Sequence, residues 1–159
     1  MPILSIQELK AAQPRLSRLL GLDLGTKTIG LALSDLTMTV ATPMKTIART
    51  KFTNDVKELF DVVDKNEVYG LVIGLPVSMD GSEGPRCQST RQFVANLLKL
   101  RDVPISFWDE RLSTAAVTRT LLEADASRRR RAEVVDKMAA AYILQGALDS
   151  SGLPPFSFD

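Results

Sequence analysis

The stretch LLGLDLGTKTIGLALSD, residues 19–35, contains two apolar runs on either side of a tight turn. Leu19 to Leu24 is typical of a buried strand, and Thr28 to Leu33 is typical of a second one. Because only Gly25-Thr26-Lys27 joins them, the two strands are predicted to form a hairpin. A third extended segment is expected around Lys45 to Ala48.

Helices and strands are predicted to alternate after this hairpin. Phe52 to Asp64 has helical periodicity, and Gly70 to Leu75 is apolar throughout, as in a central strand covered on both faces. A strand-and-helix alternation that follows a hairpin indicates an α/β fold with a mixed sheet and helices on both faces. The remaining predicted elements are a helix over Cys87 to Leu100, a strand over Val103 to Trp108, a helix from Ser113 to about Glu123 and a final helix over Val134 to Leu148.

The composition is that of one ordinary globular domain, with 159 residues of which 45% are hydrophobic and 25% charged. We expect the domain to span residues 18–150, after an accessory arm at 1–17 and before a tail at 151–159. In the arm, Ile3, Ile6 and Leu9 are spaced as in a short amphipathic turn that Pro14 ends. The net charge of +1 argues against binding nucleic acid through bulk charge, although it permits a local basic patch.

Two residue types limit the possible chemistry. Histidine is absent, which excludes Ser-His and Cys-His catalysis and histidine metal ligands. The single cysteine, Cys87, can form neither an internal disulfide nor a thiolate zinc site by itself. A cytoplasmic location is expected, since the sequence shows no signal peptide and no apolar run of membrane-spanning length.

Asp23 lies inside the first predicted strand. A buried aspartate is costly unless it is paired or bound to a metal, and alternation places it on the face opposite Leu22 and Leu24. Gly25 would allow a phosphate or a metal to approach the backbone closely. The alternative is an aspartate that accepts hydrogen bonds from turn amides.

A second acidic motif, Trp108-Asp109-Glu110-Arg111, lies where a strand ends, which is where ligands bind in open α/β sheets. Glu110 shares a face with Trp108 and is a candidate to point inwards. The sequence is equally compatible with an alternative, in which Asp109 and Arg111 form an exposed pair and Glu110 lies in solvent.

The third candidate is Asp136, predicted in the first turn of the last helix, where a carboxylate also complements the helix dipole. Ala139 and Ala140 follow on the same side of the helix and would let it pack close to the sheet, bringing Asp136 towards Asp23. Three such carboxylates can hold two divalent ions for phosphodiester cleavage, and Mg²⁺ or Mn²⁺ suits all-oxygen ligands.

A basic loop is predicted from Ala126 to Arg131, immediately before this helix. Its run of four arginines favours contact with phosphates, although a solvated loop is the alternative. The residues predicted to bind nucleic acid are Lys27, Arg86, Arg111, Arg128, Arg129, Arg130, Arg131 and Lys137.

Taken together, the motifs resemble the YqgF/RuvX family, described as Holliday junction resolvases and as nucleases that mature the precursor of small-subunit ribosomal RNA. The matching segments are GLDLGTKTIGLALSD, VIGLPVSMDGSEGPR, DERLST and VVDKMAAAYILQGAL, in the family's order. The resemblance implies an RNase H-like fold with a five-stranded mixed sheet, and Asp23, Glu110 and Asp136 as the metal-binding catalytic triad. It also favours Arg86 as a phosphate ligand, whereas Thr28 replaces an arginine common in the family.

The function expected from this resemblance is metal-dependent cleavage of structured nucleic acid, in maturation of the 5′ end of pre-16S rRNA, in Holliday junction resolution, or in both. A homodimer would supply the two sites that cutting two strands requires. The alternative is a non-catalytic nucleic-acid-binding module in transcription or RNA processing. Sugar kinases and actin-like ATPases share the Asp-Leu-Gly-Thr segment, but they need a second comparable domain for which this chain is too short.

Overall fold

The computed structural model describes residues 3–78, 80–112 and 128–150, and for residues 128–137 it describes the backbone alone. The strands in these ranges are β1 (Arg18–Leu24), β2 (Thr28–Ser34), β3 (Ala41–Ala48), β4 (Val68–Leu75) and β5 (Ile105–Asp109). The helices are α1 (Ile6–Ala12), α2 (Phe52–Lys65), α3 (Pro85–Leu100), a 3-10 turn (Glu110–Leu112) and α4 (Arg128–Asp149). None of the helices in these ranges has the length and apolar character needed to cross a membrane.

The strands form one sheet in the order β3-β2-β1-β4-β5. β1 pairs antiparallel with β2, and β2 pairs antiparallel with β3. β4 pairs in parallel with both β1 and β5. The predicted hairpin and the predicted five-stranded mixed sheet are therefore confirmed.

Helices cover both faces of this sheet, as predicted. Leu20, Leu22 and Leu24 of β1 belong to a core shared with α2 and α3. The alternate residues of β1 face the other way, and Leu19 belongs to a second core shared with α1 and α4. Alternation along the strand thus places Asp23 on the α4 side.

Helix α4 lies very close to β1 at Gly21. A β-carbon on Gly21 would stand 2.9 Å from the carbonyl oxygen of Ala140 and 2.7 Å from Cβ of Leu144. Ala139 and Ala140 are both buried, which confirms the predicted close packing of this helix on the sheet. The close approach depends on small residues on both surfaces, because a larger side chain would separate them.

Contacts at its end fix the direction of α4. The side chain of Gln145 accepts a hydrogen bond from the amide of Ala41, at the start of β3. Lys10 of α1 donates from Nζ to the carbonyl of Leu148 at 3.0 Å. Since β3 begins at the same end of the sheet as β1, α4 runs antiparallel to β1, and its earlier residues extend towards the carboxyl ends of β1 and β4.

The arm contributes to the second core through α1. Ile6 and Leu9 are buried there, as their spacing predicted, whereas Ile3 is exposed and forms a bridge with Ile105. A reciprocal pair of hydrogen bonds between Ser5 and Glu8 caps the start of the helix. The arm therefore begins with an ordinary capped helix whose apolar side packs on the sheet.

Two predictions about the last helix are wrong. Arg128 to Arg131 are in α4 and not in a loop, because arginine is a good helix former and no glycine or proline interrupts the chain before Gly146. Asp136 consequently lies about two turns into the helix and not in its first turn, so the helix dipole does not account for it.

Other boundaries differ by a few residues. β3 begins at Ala41 and not near Lys45, since it is an edge strand that accommodates Pro43 beside a register shift. α3 begins at Pro85, whose fixed φ suits the first helical position. The helix predicted from Ser113 to about Glu123 lies outside the described residues.

Candidate metal and nucleic-acid site

Asp23 is the sixth residue of β1 and is almost completely buried, with 1% of its surface exposed. It shares the α4 side of the sheet with Gly21, while Leu22 and Leu24 point to the other side, as predicted. A carboxylate in such a position must be compensated by partners or by a cation, because its transfer out of water is costly.

Glu110 follows β5 directly, as the first residue of the 3-10 turn, and is 3% exposed. Its Oε2 lies 3.1 Å from the point where a β-carbon on Gly74 would stand. Gly74 pairs with Trp108 in β5, and on the other side the pairing of Leu22 with Ile73 sets Asp23 beside Gly74. The register therefore places both buried carboxylates beside Gly74, at the carboxyl ends of β1 and β5.

Gly74 is a site residue that the sequence predictions missed. A β-carbon there would also stand 2.3 Å from Cδ1 of Ile143, so any larger residue at this position requires Ile143 to move. The missing side chain leaves the space that the Glu110 carboxylate occupies. A signal was present in the sequence, since a glycine inside the apolar strand GLVIGL indicates close approach of another group.

Asp109 and Glu110 have different environments. Arg111 donates from Nη2 to Oδ2 of Asp109 at 2.6 Å and from Nε to both oxygens. This hydrogen bonding from Arg111 lowers the pKa of Asp109. The Asp109–Arg111 pair therefore exists, but the alternative of a solvated Glu110 is wrong, because Glu110 is buried.

Asp136 is placed by its backbone alone. It lies in α4 one turn before Ala140, whose carbonyl meets β1 at Gly21. No group of three acidic, histidine or cysteine side chains is found among the residues whose side chains the structure describes, and Asp136 is not one of them. Its convergence with Asp23 and Glu110 stays a prediction.

The predicted cationic residues with described side chains lie around the same end of the sheet. Lys27 is exposed in the turn between β1 and β2. Arg86, in the first turn of α3, donates from Nη2 to the carbonyl of Leu24 at 3.3 Å. Arg111 is held by Asp109, while the side chains of Lys137 and of Arg128 to Arg131 are outside the described part of the chain.

The donor set fits a hard divalent cation. The two buried carboxylates supply oxygen ligands, as Mg²⁺ and Mn²⁺ prefer. Cys87 is buried, and burial raises the pKa of its thiol, which disfavours the thiolate form that a softer metal would need. The site residues therefore fit the predicted metals better than zinc.

Comparisons with known proteins show the family to which this chain is similar. A family model described as RuvX, Holliday junction resolvase, matches residues 17–150. A protein of Paramagnetospirillum magneticum named "Putative pre-16S rRNA nuclease" is 72% identical over 150 residues, covering 94% of this chain and 97% of that protein. A protein of Rhodospirillum rubrum with the same name is 64% identical over 151 residues, covering 94% of each chain.

The fold resembles that of RuvC from Thermus thermophilus, solved in complex with a Holliday junction substrate. The TM-score is 0.51 at 10% identity, over 80% of this chain and 91% of that one. This likeness concerns the fold alone, and it confirms the predicted RNase H-like architecture.

Proposed function

The chain belongs to the RuvX family, a family of nucleases, and we propose that it hydrolyses phosphodiester bonds in structured nucleic acid with the help of Mg²⁺ or Mn²⁺. The observation that carries this proposal is that two buried carboxylates, Asp23 and Glu110, both lie beside Gly74 at the carboxyl end of the sheet. Buried carboxylates without histidine are suited to holding divalent cations in phosphodiester hydrolysis.

Asp23 and Glu110 would hold the metal from β1 and from the end of β5, and Asp136 is the third proposed ligand, from α4. When bound by these residues, a pair of such ions would supply activation of a water molecule and stabilisation of the leaving oxygen. The protein's part is to fix the two carboxylates on rigid elements, with the register of β1, β4 and β5 setting their separation. In the reaction, the oxygen of water bonds to phosphorus, one ester P–O bond breaks, and the departing oxygen gains a proton.

The precursor of 16S ribosomal RNA is the substrate we place first. Support comes from the name shared by relatives that are 72% and 64% identical over nearly the whole chain. A four-way DNA junction is the second substrate, supported by the description of the family. We further propose a cytoplasmic location, in which the single cysteine stays reduced, and a homodimer wherever two strands are cut.

The test uses purified protein on both substrates, an RNA carrying the precursor 5′ end and a synthetic four-way DNA junction, each with Mg²⁺, with Mn²⁺ and with chelator. Asp23→Asn is expected to abolish cleavage of the preferred substrate, as chelation does. The matched control is Asp102→Asn, an exposed residue before β5 at the other end of the sheet, which should cut at the wild-type rate.

Two outcomes would contradict the proposal. If Asp23→Asn cuts as fast as the wild type, the assigned site is wrong. If the wild type binds both nucleic acids but cuts neither with either metal, the chain is a binding module and not a nuclease.

A further inference from the structure

A polar cleft of about 420 Å³ opens beside the carboxyl end of β1, on the side of the sheet covered by α3. Its walls come from the turn after β1, from the connection between β3 and α2, and from the first three turns of α3. The residues that give it its chemistry are Thr26, Arg49, Arg86, Ser89 and Thr90. Asp23 faces the opposite side of the same strand end, so the cleft and the carboxylates lie on either side of one turn.

Two arginines are fixed in this cleft by the main chain. Arg86 donates from Nη2 to the carbonyl of Leu24 at 3.3 Å, and Arg49 donates from Nη1 to the carbonyl of Gly25 at 2.6 Å. The guanidinium of Arg49 also lies 5.7 Å from the centre of the Phe93 ring. Both cations are therefore anchored to the two residues that follow Asp23.

These arginines differ in one respect from several others in the protein. Arg91 is paired with Glu83, Arg101 with Asp64 and Arg111 with Asp109. In the part of the chain that the structure describes, neither Arg49 nor Arg86 is in an ion pair, and no acidic residue lines the cleft. Each guanidinium uses one N–H group on a carbonyl and retains others for a ligand.

We propose that Arg49 and Arg86 bind a backbone phosphate of the nucleic acid, one that neighbours the phosphate to be cleaved. Planar guanidinium groups bind phosphate oxygens through paired hydrogen bonds, and the hydroxyl of Ser89 adds a neutral donor. Because the carbonyl contacts orient the guanidinium groups beforehand, less conformational entropy is lost on binding. Nothing in the sequence predictions identified Arg49.

This inference rests on the proposed function and adds a positioning role to it. A strand that crosses the carboxyl end of β1 would have one phosphate at the carboxylates and another in the cleft. Phosphate contacts of this kind fix the register of the nucleic acid on the protein. The two arginines are therefore positioning residues that hold the strand, while the carboxylates act on it.

The experiment measures binding in chelator, so that no cleavage is required. Arg49→Gln and Arg86→Gln are titrated with the precursor-end RNA and with the four-way DNA junction over a range of salt concentrations. We expect each variant to bind the preferred nucleic acid about tenfold more weakly, because a charge-assisted hydrogen bond is removed. The association constant falls with rising salt, and a plot of its logarithm against the logarithm of the salt concentration should become less steep by about one unit of slope for each phosphate that is no longer bound.

The matched control is Arg101→Gln, which removes the same charge at the far end of α3, about 24 Å away for a helix of this length. Arg101 is already neutralised by Asp64, so both affinity and slope should stay at the wild-type values. Arg86→Lys keeps the charge but not the paired geometry, and it should retain the slope while losing part of the affinity. Thermal melting of each variant separates a weakened phosphate subsite from a damaged fold.

The outcomes distinguish this inference from the function on which it rests. If the wild type binds and both glutamine variants bind with unchanged affinity and slope, the phosphate subsite is wrong and the nuclease proposal stands. If the wild type binds neither nucleic acid, both proposals are wrong. A loss of affinity confined to the RNA or to the DNA would show which backbone the cleft holds.

Discussion

The carboxylate of Glu110 packs so close to Gly74 that a side chain at position 74 would press against it. Oε2 of Glu110 lies 3.1 Å from the position of a β-carbon on Gly74, and Ile143 closes the same space from α4. The position of the acid thus depends on a glycine in the neighbouring strand β4. Small residues in central strands are one means by which a sheet makes room for a buried charged group.

Gly74→Ala should therefore lower the turnover of the enzyme while the protein remains folded. The new methyl group would force Ile143 to move and would push the Glu110 carboxylate aside by a few tenths of an ångström. Since a misplacement of about 1 Å can lower turnover about a hundredfold, we expect this smaller shift to lower it about tenfold. Overpacking should also lower the free energy of unfolding by about 1–3 kcal/mol. Cleavage is measured well below the melting temperature, with metal binding followed by calorimetry.

The control for this prediction is Gly70→Ala, in the same strand. A β-carbon there would stand 2.8 Å from Cδ1 of Leu9 and 3.1 Å from the carbonyl of Pro104, away from the carboxylates. We expect a comparable loss of stability with metal binding retained. Equal loss of metal binding in the two variants would mean that Gly74 has no special relationship with Glu110.

The neighbouring acids Glu110 and Asp109 offer a second matched pair. Glu110→Gln should lower turnover by more than the roughly 10–100-fold that loss of an outer partner of a metal site costs, because it removes a ligand. Asp109→Asn breaks a partly exposed ion pair with Arg111, worth about 0–1 kcal/mol, and should change turnover no more than a few-fold. The measurement is the steady-state cleavage rate of each variant at saturating metal. If Asp109→Asn lost more turnover than Glu110→Gln, the site would be assigned to Asp109.

The sequence predicted the parts of this site that depend on local periodicity. Alternation along β1 was enough to separate Asp23 from Leu22 and Leu24, because a strand has a period of two. The sequence pattern could not show which of Asp109 and Glu110 points into the site, because the chain turns at the end of the strand and alternation no longer applies there. Burial of Glu110 over Gly74 and pairing of Asp109 with Arg111 make that distinction in the folded chain.

The sequence patterns could not predict contacts between residues that are far apart in the sequence. Arg49 meets the carbonyl of Gly25 across 24 positions, and Arg86 meets that of Leu24 across 62. Neither separation leaves a periodic signal, because each contact exists only after the sheet and α3 have packed. The arginine run differs from its prediction for another reason: clustered charge favours a loop, whereas the helix propensity of arginine places the run in α4.

The turn between β2 and β3 gives the protein an acid-sensitive set of hydrogen bonds. Hydrogen bonds from the Thr37 hydroxyl, and then from the amides of Thr39 and Val40, lower the pKa of Asp35 to about 2. The pKa of Asp35 in the folded chain is below its value in the unfolded chain, about 3.9. The ionised Asp35 therefore makes its full contribution to the stability of the fold above about pH 4, and this contribution is lost as the pH falls towards about 2.

Asp35→Asn should accordingly melt at a lower temperature than the wild type at neutral pH and lose less further stability between about pH 4 and pH 2. Thr37→Val removes the largest cause of the lowered pKa and should move the acid transition of the wild type to higher pH. Thermal melts at several pH values measure both effects. If the melting temperatures of the wild type and of Asp35→Asn fell equally steeply as the pH is lowered, the turn would not contribute to the acid sensitivity of the fold.

The run from Arg128 to Arg131 is expected to bind phosphates from the start of α4. Since these residues are helical, the variant that tests them is a replacement of all four by glutamine, which preserves helix propensity where serine would not. Binding should weaken, and the salt slope should fall by about one for each phosphate that the run no longer binds. The control removes four positive charges from exposed positions on and just after α2 and α3, namely Lys57, Lys65, Lys99 and Arg101. If both variants lose affinity equally, the run contributes only net charge, whereas a loss specific to the run assigns it to the nucleic-acid surface beside the carboxylates.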